Sequence, residues 1–160
     1  MLPHDYVPAL TPVTMTAIFN QRLRGVAWAG FRYTNAMIVA LGASLTGDIT
    51  VCTLPARTVI LNSYLVVESA ATNGGTLTMA VGRTAAAYVD YIGASDIKAV
   101  ANTVYGDTAG ERGANLTGYD MPSYTATTAV VAHCISTVVN LSTTTTAQGM
   151  VWIAYTVLPS

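Results

Sequence analysis

Charge is scarce in this chain. Only 9% of its 160 residues are Asp, Glu, Lys or Arg, against about 25% in an average soluble domain. Lys98 is the only lysine, and the formal net charge is −1. A protein that grips nucleic acid through its phosphates needs a basic surface, so no specific nucleic acid is expected as a partner. Long apolar runs are missing as well. A membrane-crossing helix takes about 20 consecutive apolar residues, whereas the best run, Ala36 to Leu45, is ended by Thr46-Gly47-Asp48. No membrane partner is expected. The opening MLPHDYVPALTP carries Asp5, three prolines and no basic start, unlike a signal peptide.

Cysteine and histidine are equally sparse. Cys52 and Cys134 form no CxxC pair, and neither His4 nor His133 stands at zinc-ligand spacing from them. The preferred reading is two small buried hydrophobes, with a bridge between them as the alternative. His133 and Cys134 are adjacent, so on a strand they point to opposite faces and do not form a nucleophile–base pair. No nucleophile-elbow sequence is present. His133 reads as a packed histidine, and the chain as a non-enzyme without a cofactor.

One stretch imitates a phosphate-binding loop. In AVGRTAAAY, residues 80–88, Gly82-Arg83-Thr84 has a basic residue and a hydroxyl in the right order. The loop's first glycine belongs five residues before Gly82, where Leu77 stands, and its basic residue should be Lys. A helix must also open directly after it, yet the alternation before Gly82 is that of a strand. The step reads as a strand end. Asp107 and Glu111 are hard oxygen donors of the type calcium uses, but acids in Gly-rich loops usually face water, and that reading is preferred. Asn115-Leu116-Thr117 and Asn140-Leu141-Ser142 match the glycosylation sequon, which a Thr-rich chain produces by chance. Arg22, Arg24 and Arg32 read as surface or interface arginines.

What the chain has in quantity is apolar and β-branched residues, with 52% hydrophobic overall. An uncharged soluble domain exposes adhesive surface as a monomer, so a homo-oligomer or a larger assembly is expected. Residues 1–30 read as an N-terminal arm and lead-in, because Pro3, Pro8 and Pro12 bar regular pairing while Leu2, Tyr6, Val7 and Leu10 favour burial against a partner. Residues 15–29 fit a short helix or a strand. Residues 31–160 read as one β domain. Phe31 to Thr34 runs into the apolar stretch Ala36 to Leu41, and further strands fall at 48–53, 57–68, 76–81, 125–139 and 150–158. Asn73-Gly74-Gly75 reads as the hairpin turn before Leu77, Met79 and Val81, which alternate with Thr76, Thr78 and Ala80. Residues 90–122 read as a long loop region, with one helical turn at 94–101 capped by Ser95. Short strands, Gly/Pro turns and no long amphipathic helix predict an all-β sandwich or barrel.

The series Leu54-Pro55-Ala56-Arg57-Thr58-Val59-Ile60-Leu61, Val66-Val67-Glu68, and Gly75-Thr76-Leu77-Thr78-Met79-Ala80-Val81-Gly82 resembles small structural proteins of tailed-bacteriophage heads. So does the ending, with the Thr-rich turn Thr143 to Thr146 and the last strand Val151 to Leu158. The resemblance covers residues 48–158. It implies an antiparallel jelly-roll β-sandwich with an extended N-terminal arm, acting as a capsid cement or decoration protein. It further implies a homotrimer bound to the major capsid protein on the outer surface of the virion, after synthesis in the host cytoplasm. The alternative is a jelly-roll carbohydrate-binding module of a head fibre or host-attachment protein, with Tyr88, Tyr91, Tyr105, Tyr119 and Tyr124 as its loop aromatics. On the cement reading, Leu2, Tyr6, Val7 and Leu10 are partner-binding residues, each worth roughly 1.5–3 kcal/mol when fully buried. Deleting residues 1–12 should weaken capsid attachment or oligomer contacts far more than it lowers the melting temperature; unchanged binding by the truncated chain would make the arm dispensable.

Overall fold

A computed structural model of the chain describes residues 26–83, 88–106, 111–113 and 123–158. Among the described residues are nine strands: β1 (Ala27–Thr34), β2 (Thr46–Leu54), β3 (Thr58–Ser69), β4 (Leu77–Gly82), β5 (Ile92–Asp96), β6 (Thr103–Tyr105), β7 (Ser123–Tyr124), β8 (Thr128–Ser136) and β9 (Gln148–Val157). One turn of helix, α1 (Asn35–Val39), follows β1, and a 3-10 turn spans Leu141–Thr143. Among the described residues no helix is long and apolar enough to cross a membrane.

The strands form two antiparallel sheets. The first runs β1-β9-β3-β6, with β7 also against β3, and the second runs β2-β8-β4-β5. Successive strands β1 to β4 alternate between the sheets, and β8 and β9 each insert beside strands from the front of the chain. This interleaved order is that of a jelly roll. The first 25 residues, and with them the arm, lie outside the described residues.

Alternation along the strands builds the core. In β1, Ala29, Phe31 and Tyr33 are buried, while Trp28 and Arg32 point away. In β9, Val151, Ile153 and Tyr155 go inward. The second sheet answers with Val51, Leu54, Leu77, Met79, Val130, Ala132 and Cys134. Each large apolar side chain so buried contributes roughly 1.5–3 kcal/mol, and the two inner faces close on one another as a sandwich.

Three local expectations are corrected. The stretch 36–41 does not extend a strand, because Asn35–Val39 coils into α1 and buries Ile38. A short apolar run has no period that separates strand from helix. Asn73-Gly74-Gly75 does not turn a hairpin, since β3 and β4 belong to different sheets. Here Asn73 Oδ1 accepts from the Gly75 amide at 2.9 Å, and Lys98 Nζ donates to the carbonyls of Asn73 and Gly75 at 2.7 and 2.6 Å. The sole lysine thus clamps a crossover between sheets. Finally, residues 94–101 form no helical turn. Strand β5 occupies 92–96, Ser95 Oγ donates to the Gly93 carbonyl, and Asp96 Oδ1 accepts from the Lys98 amide to start a turn.

Gly149 shows how tightly β9 is held. A Cβ there would lie 2.1 Å from the Val66 carbonyl oxygen and 2.4 Å from Tyr33 Oη, and backbone cannot yield as a side chain does. Gly149→Ala should lower stability by about 3 kcal/mol, the upper end for overpacking. Gly74→Ala, whose Cβ would meet only Val139 at 3.5 Å, should change it by under about 0.5 kcal/mol. Urea melts of the two variants test the contrast; equal stability would mean that the approach of β9 to β3 is looser than described.

Candidate functional site

The Gly82-Arg83 step ends β4, and its chemistry is internal. Arg83 Nε lies 2.8 Å from Asp90 Oδ2, and its own amide donates to the same oxygen at 3.0 Å. The Asp90 side chain is only 4% exposed, so the guanidinium is committed to neutralising a buried carboxylate. A Cβ on Gly82 would fall 2.7 Å from the backbone of Tyr88 and Asp90. Glycine here lets the backbone of Tyr88 and Asp90 come back against the strand end. Thr84 lies outside the described residues.

That fold-back sets Tyr88 on the outer face of the second sheet. Its ring stacks on His133, with centroids 3.8 Å apart and planes 8° from parallel. His133 Nδ1 meets Asp48 Oδ1 at 2.5 Å, across the register Asp48↔His133 of β2 and β8. Burial pushes the Tyr88 hydroxyl up from its ordinary value, helped by the charge of Asp48 and a hydrogen bond to it. The neighbouring Cys134 points into the core and is fully buried, so His133 and Cys134 are separated as strand alternation requires. The cluster fastens a loop to a sheet.

Both cysteines are free and buried, which bears out their reading as small hydrophobes. Asp107 lies outside the described residues, and Glu111 Oε2 accepts from the Gly106 amide at 3.2 Å. Among the described residues no group of three or more metal-ligating side chains comes together. Leu2, Tyr6, Val7 and Leu10 fall outside the described residues, as do Arg22 and Arg24. Arg32 stands on the outer face of β1 and pairs with Glu68 Oε1 at 2.9 Å.

The described loop tyrosines, Tyr88, Tyr91 and Tyr105, do not assemble. Tyr91 is fully buried, Tyr88 lies on His133, and Tyr105 Oη donates to the Asp96 carbonyl at 2.8 Å. Tyr119 and the Tyr124 side chain lie outside the described residues. The aromatics that meet solvent are elsewhere. On the outer face of the first sheet the register aligns Gly30, Trp152 and Tyr64, and one step along, Trp28, Ala154 and Asn62. Trp28 is 43% exposed. Trp28 and Tyr64 reach across β9 and stack, with centroids 6.0 Å apart and 18° between planes. Ala154, outward by alternation, is closed off between them at 2% exposure. Trp152 lies over Gly30, where a Cβ would meet its ring at 2.4 Å. Asn62 Nδ2 donates to Tyr64 Oη at 2.7 Å. Met150, Val66 and Val104 continue the apolar row, and Arg32, Glu68 and Gln148 border it with a hydrogen-bonded polar edge. Composition alone contained both tryptophans but not their meeting place. The signal available was alternation in β9, where Trp152 falls between Val151 and Ile153.

No family model and no curated protein matches this chain. A solved structure does. A chain of the acidic stable capsid structure of Helicobacter pylori bacteriophage KHP30 superposes with a TM-score of 0.52 at 19% identity, covering 84% of this chain and 89% of that one. What the two chains share is the fold. Their matched shares also make them similar in length.

The core thiols give a pH test. Burial pushes both Cys52 and Cys134 up to about 12, with the charge of Asp48 adding to the effect at Cys134. An unfolded thiol titrates near 8.5, roughly, so the unfolded state loses these protons first. The stability they contribute is complete below about pH 8.5 and declines as pH rises toward the folded values. Melting temperature should therefore fall above about pH 9, and a thiol-specific disulfide reagent should react with both cysteines only as the chain unfolds. Rapid labelling of the native protein would show that the core admits solvent.

Proposed function

We propose that the chain is a structural protein of a phage virion, a cement or decoration protein that binds and stabilises the assembled head from outside. The observation that carries this reading is a sandwich shared, over most of both chains, with a component of a phage capsid structure. The scarcity of charge and the aromatic outer face support it, since a protein with several neighbours needs surface that loses water without leaving ions unpaired. On this reading its partners are the major capsid protein and copies of itself, in a homotrimer. Its place is the outer capsid surface, and it is made in the host cytoplasm. It works by occupancy rather than catalysis, and the candidate chemistry agrees: Arg83, His133 and Asp90 are each engaged in holding the chain together.

The physical mechanism is linkage. A protein that binds the assembled shell and not its free subunits shifts assembly by roughly 2.7 kcal/mol per site at a hundredfold excess over Kd. Several copies acting together raise avidity without new contacts. A second reading, a glycan-binding module, draws on the exposed Trp28 and Tyr64 with Asn62 beside them, because aromatic faces also stack on sugar rings.

The test uses heads of the cognate phage assembled without this protein. Added protein should co-sediment with them saturably and raise the temperature at which they rupture. Absence of binding, together with specific retention on a glycan array, would overturn the cement reading in favour of the second.

A further inference from the structure

The two outer faces of the sandwich are not alike. The second sheet is partly covered from within, because Gly82 and the Arg83–Asp90 pair bring the chain back at Tyr88, whose ring lies on His133. The first sheet has no such cover among the described residues. Both tryptophans of the chain lie there rather than in the core, with Tyr64, Met150, Val66 and Val104 completing an apolar field across β1, β9, β3 and β6. Trp28 and Val104, at opposite sides of the sheet, are 43% and 40% exposed.

We propose that the outer face of the first sheet is where a second copy of this chain docks. The inference rests on the reading that the chain self-associates, and adds the surface through which it does so. Three observations favour a second copy as the occupant. First, the face has the anatomy of an interface, with a Trp/Tyr centre and a charged margin confined to one end. Second, that margin carries one charge of each sign, Arg32 and Glu68, linked to each other and through Glu68 to Gln148. A surface of this kind is self-complementary: Arg32 of one copy can meet Glu68 of the next, and a net charge of −1 per chain opposes the approach very little. Third, the area suffices. Strands of eight, ten, twelve and three residues (β1, β9, β3 and β6), about 4.8 Å apart and rising about 3.3 Å per residue, give a plane of roughly 500 Å² before side-chain relief. Two such faces together bury about 1,000 Å², the size at which a specific interface is sustained.

The local structure also preorganises the face. Trp152 is seated because position 30 is glycine, and the Trp28–Tyr64 stack is set over a small residue, Ala154. Rings fixed in this way lose little rotamer freedom on docking, so more of their buried area appears as affinity.

The two tryptophans report on the face directly. In sedimentation velocity the full chain should be oligomeric at micromolar concentration. On dilution its tryptophan emission should shift to the red, and acrylamide quenching should rise, over the same range in which the mass falls. Trp28→Glu should weaken association by about 30-fold or more, the loss typical of an aromatic anchor. Val100→Glu, at an 80% exposed position between β5 and β6, should leave the mass unchanged. Circular dichroism confirms that each variant is folded, and the dilution experiment needs no variant. An oligomer that Trp28→Glu leaves intact, or that dissociates without any change in quenching, would overturn the choice of surface while leaving self-association in place. Deletion of residues 1–25 that exposes the tryptophans at constant mass would show that the chain's own N-terminal segment covers the face instead. A monomer throughout would overturn both the surface and the self-association, whereas the head-binding assay is scored independently.

Discussion

Strand β9 is the member on which the first sheet hangs. It pairs with all eight residues of β1 on one side and with β3 from Thr58 to Ser69 on the other. Nothing else joins the front of the described chain to its middle in this sheet. Its period of two serves both sides of the layer: Val151, Ile153 and Tyr155 fill the core, while Met150, Trp152 and Ala154 form the centre of the outer face. Size is matched position by position. Gly149 makes room for Tyr33 on the inside, Gly30 makes room for Trp152 on the outside, and Ala154 lets two rings meet above it. A register slip of one residue would exchange the two sets and put Trp152 where Val151 and Ile153 now pack. The aromatic surface and the core are therefore one specification.

The second sheet solves its outer face differently. Asp48 and His133 lie opposite each other on β2 and β8, and Tyr88 is delivered to them by the return from β4. Tyr88 does this from the left-handed region, at φ 67°, a conformation that costs a non-glycine residue about 1 kcal/mol or more. The Arg83–Asp90 pair and the stack on His133 hold it there. A sandwich that partly covers one outer face from within and leaves the other apolar has two unlike faces, and on the docking proposed above it is the first sheet that associates.

Much of this was legible in the sequence. The strands β3, β4, β8 and β9 follow from β-branched runs and, at Leu77-Met79-Val81, from clean alternation. The rejection of a phosphate loop at Gly82 followed from the same strand. Three things were not legible, each for a physical reason. Residues 36–41 are apolar at every position, so periodicity cannot tell a helical turn from a strand. The partners of β4 are β5 and the distant β8, not the preceding β3, and Asn73-Gly74-Gly75 looks like a hairpin turn because the residues that favour tight reversal also suit a crossover pinned by Lys98. The aromatic face was hidden because Trp28 lay in a stretch with two readings and Trp152 in one where both faces of the strand are apolar. Only the register Gly30↔Trp152↔Tyr64 brings its parts together.

The scarcity of charge takes on a definite meaning once the charges are placed. Arg83 neutralises the buried Asp90, Lys98 gathers two carbonyls, and Asp48 meets His133. Gly106 is gripped from both ends, its amide by Glu111 and its carbonyl by Arg112 Nε. Each of these ties one loop or strand to another within the chain. Arg32 and Glu68, on the rim of the aromatic face, are the pair that borders the proposed docking surface. Ions used as internal fasteners leave much of the described surface to uncharged residues, of which Ala and Val lose water at no polar cost and Ser and Thr at a cost that a hydrogen bond repays. An association built on such surface depends on apolar area rather than on Coulomb attraction. Salt screens the second and not the first, so a protein of this composition keeps its contacts across changes of ionic strength that would loosen a charge-stitched assembly.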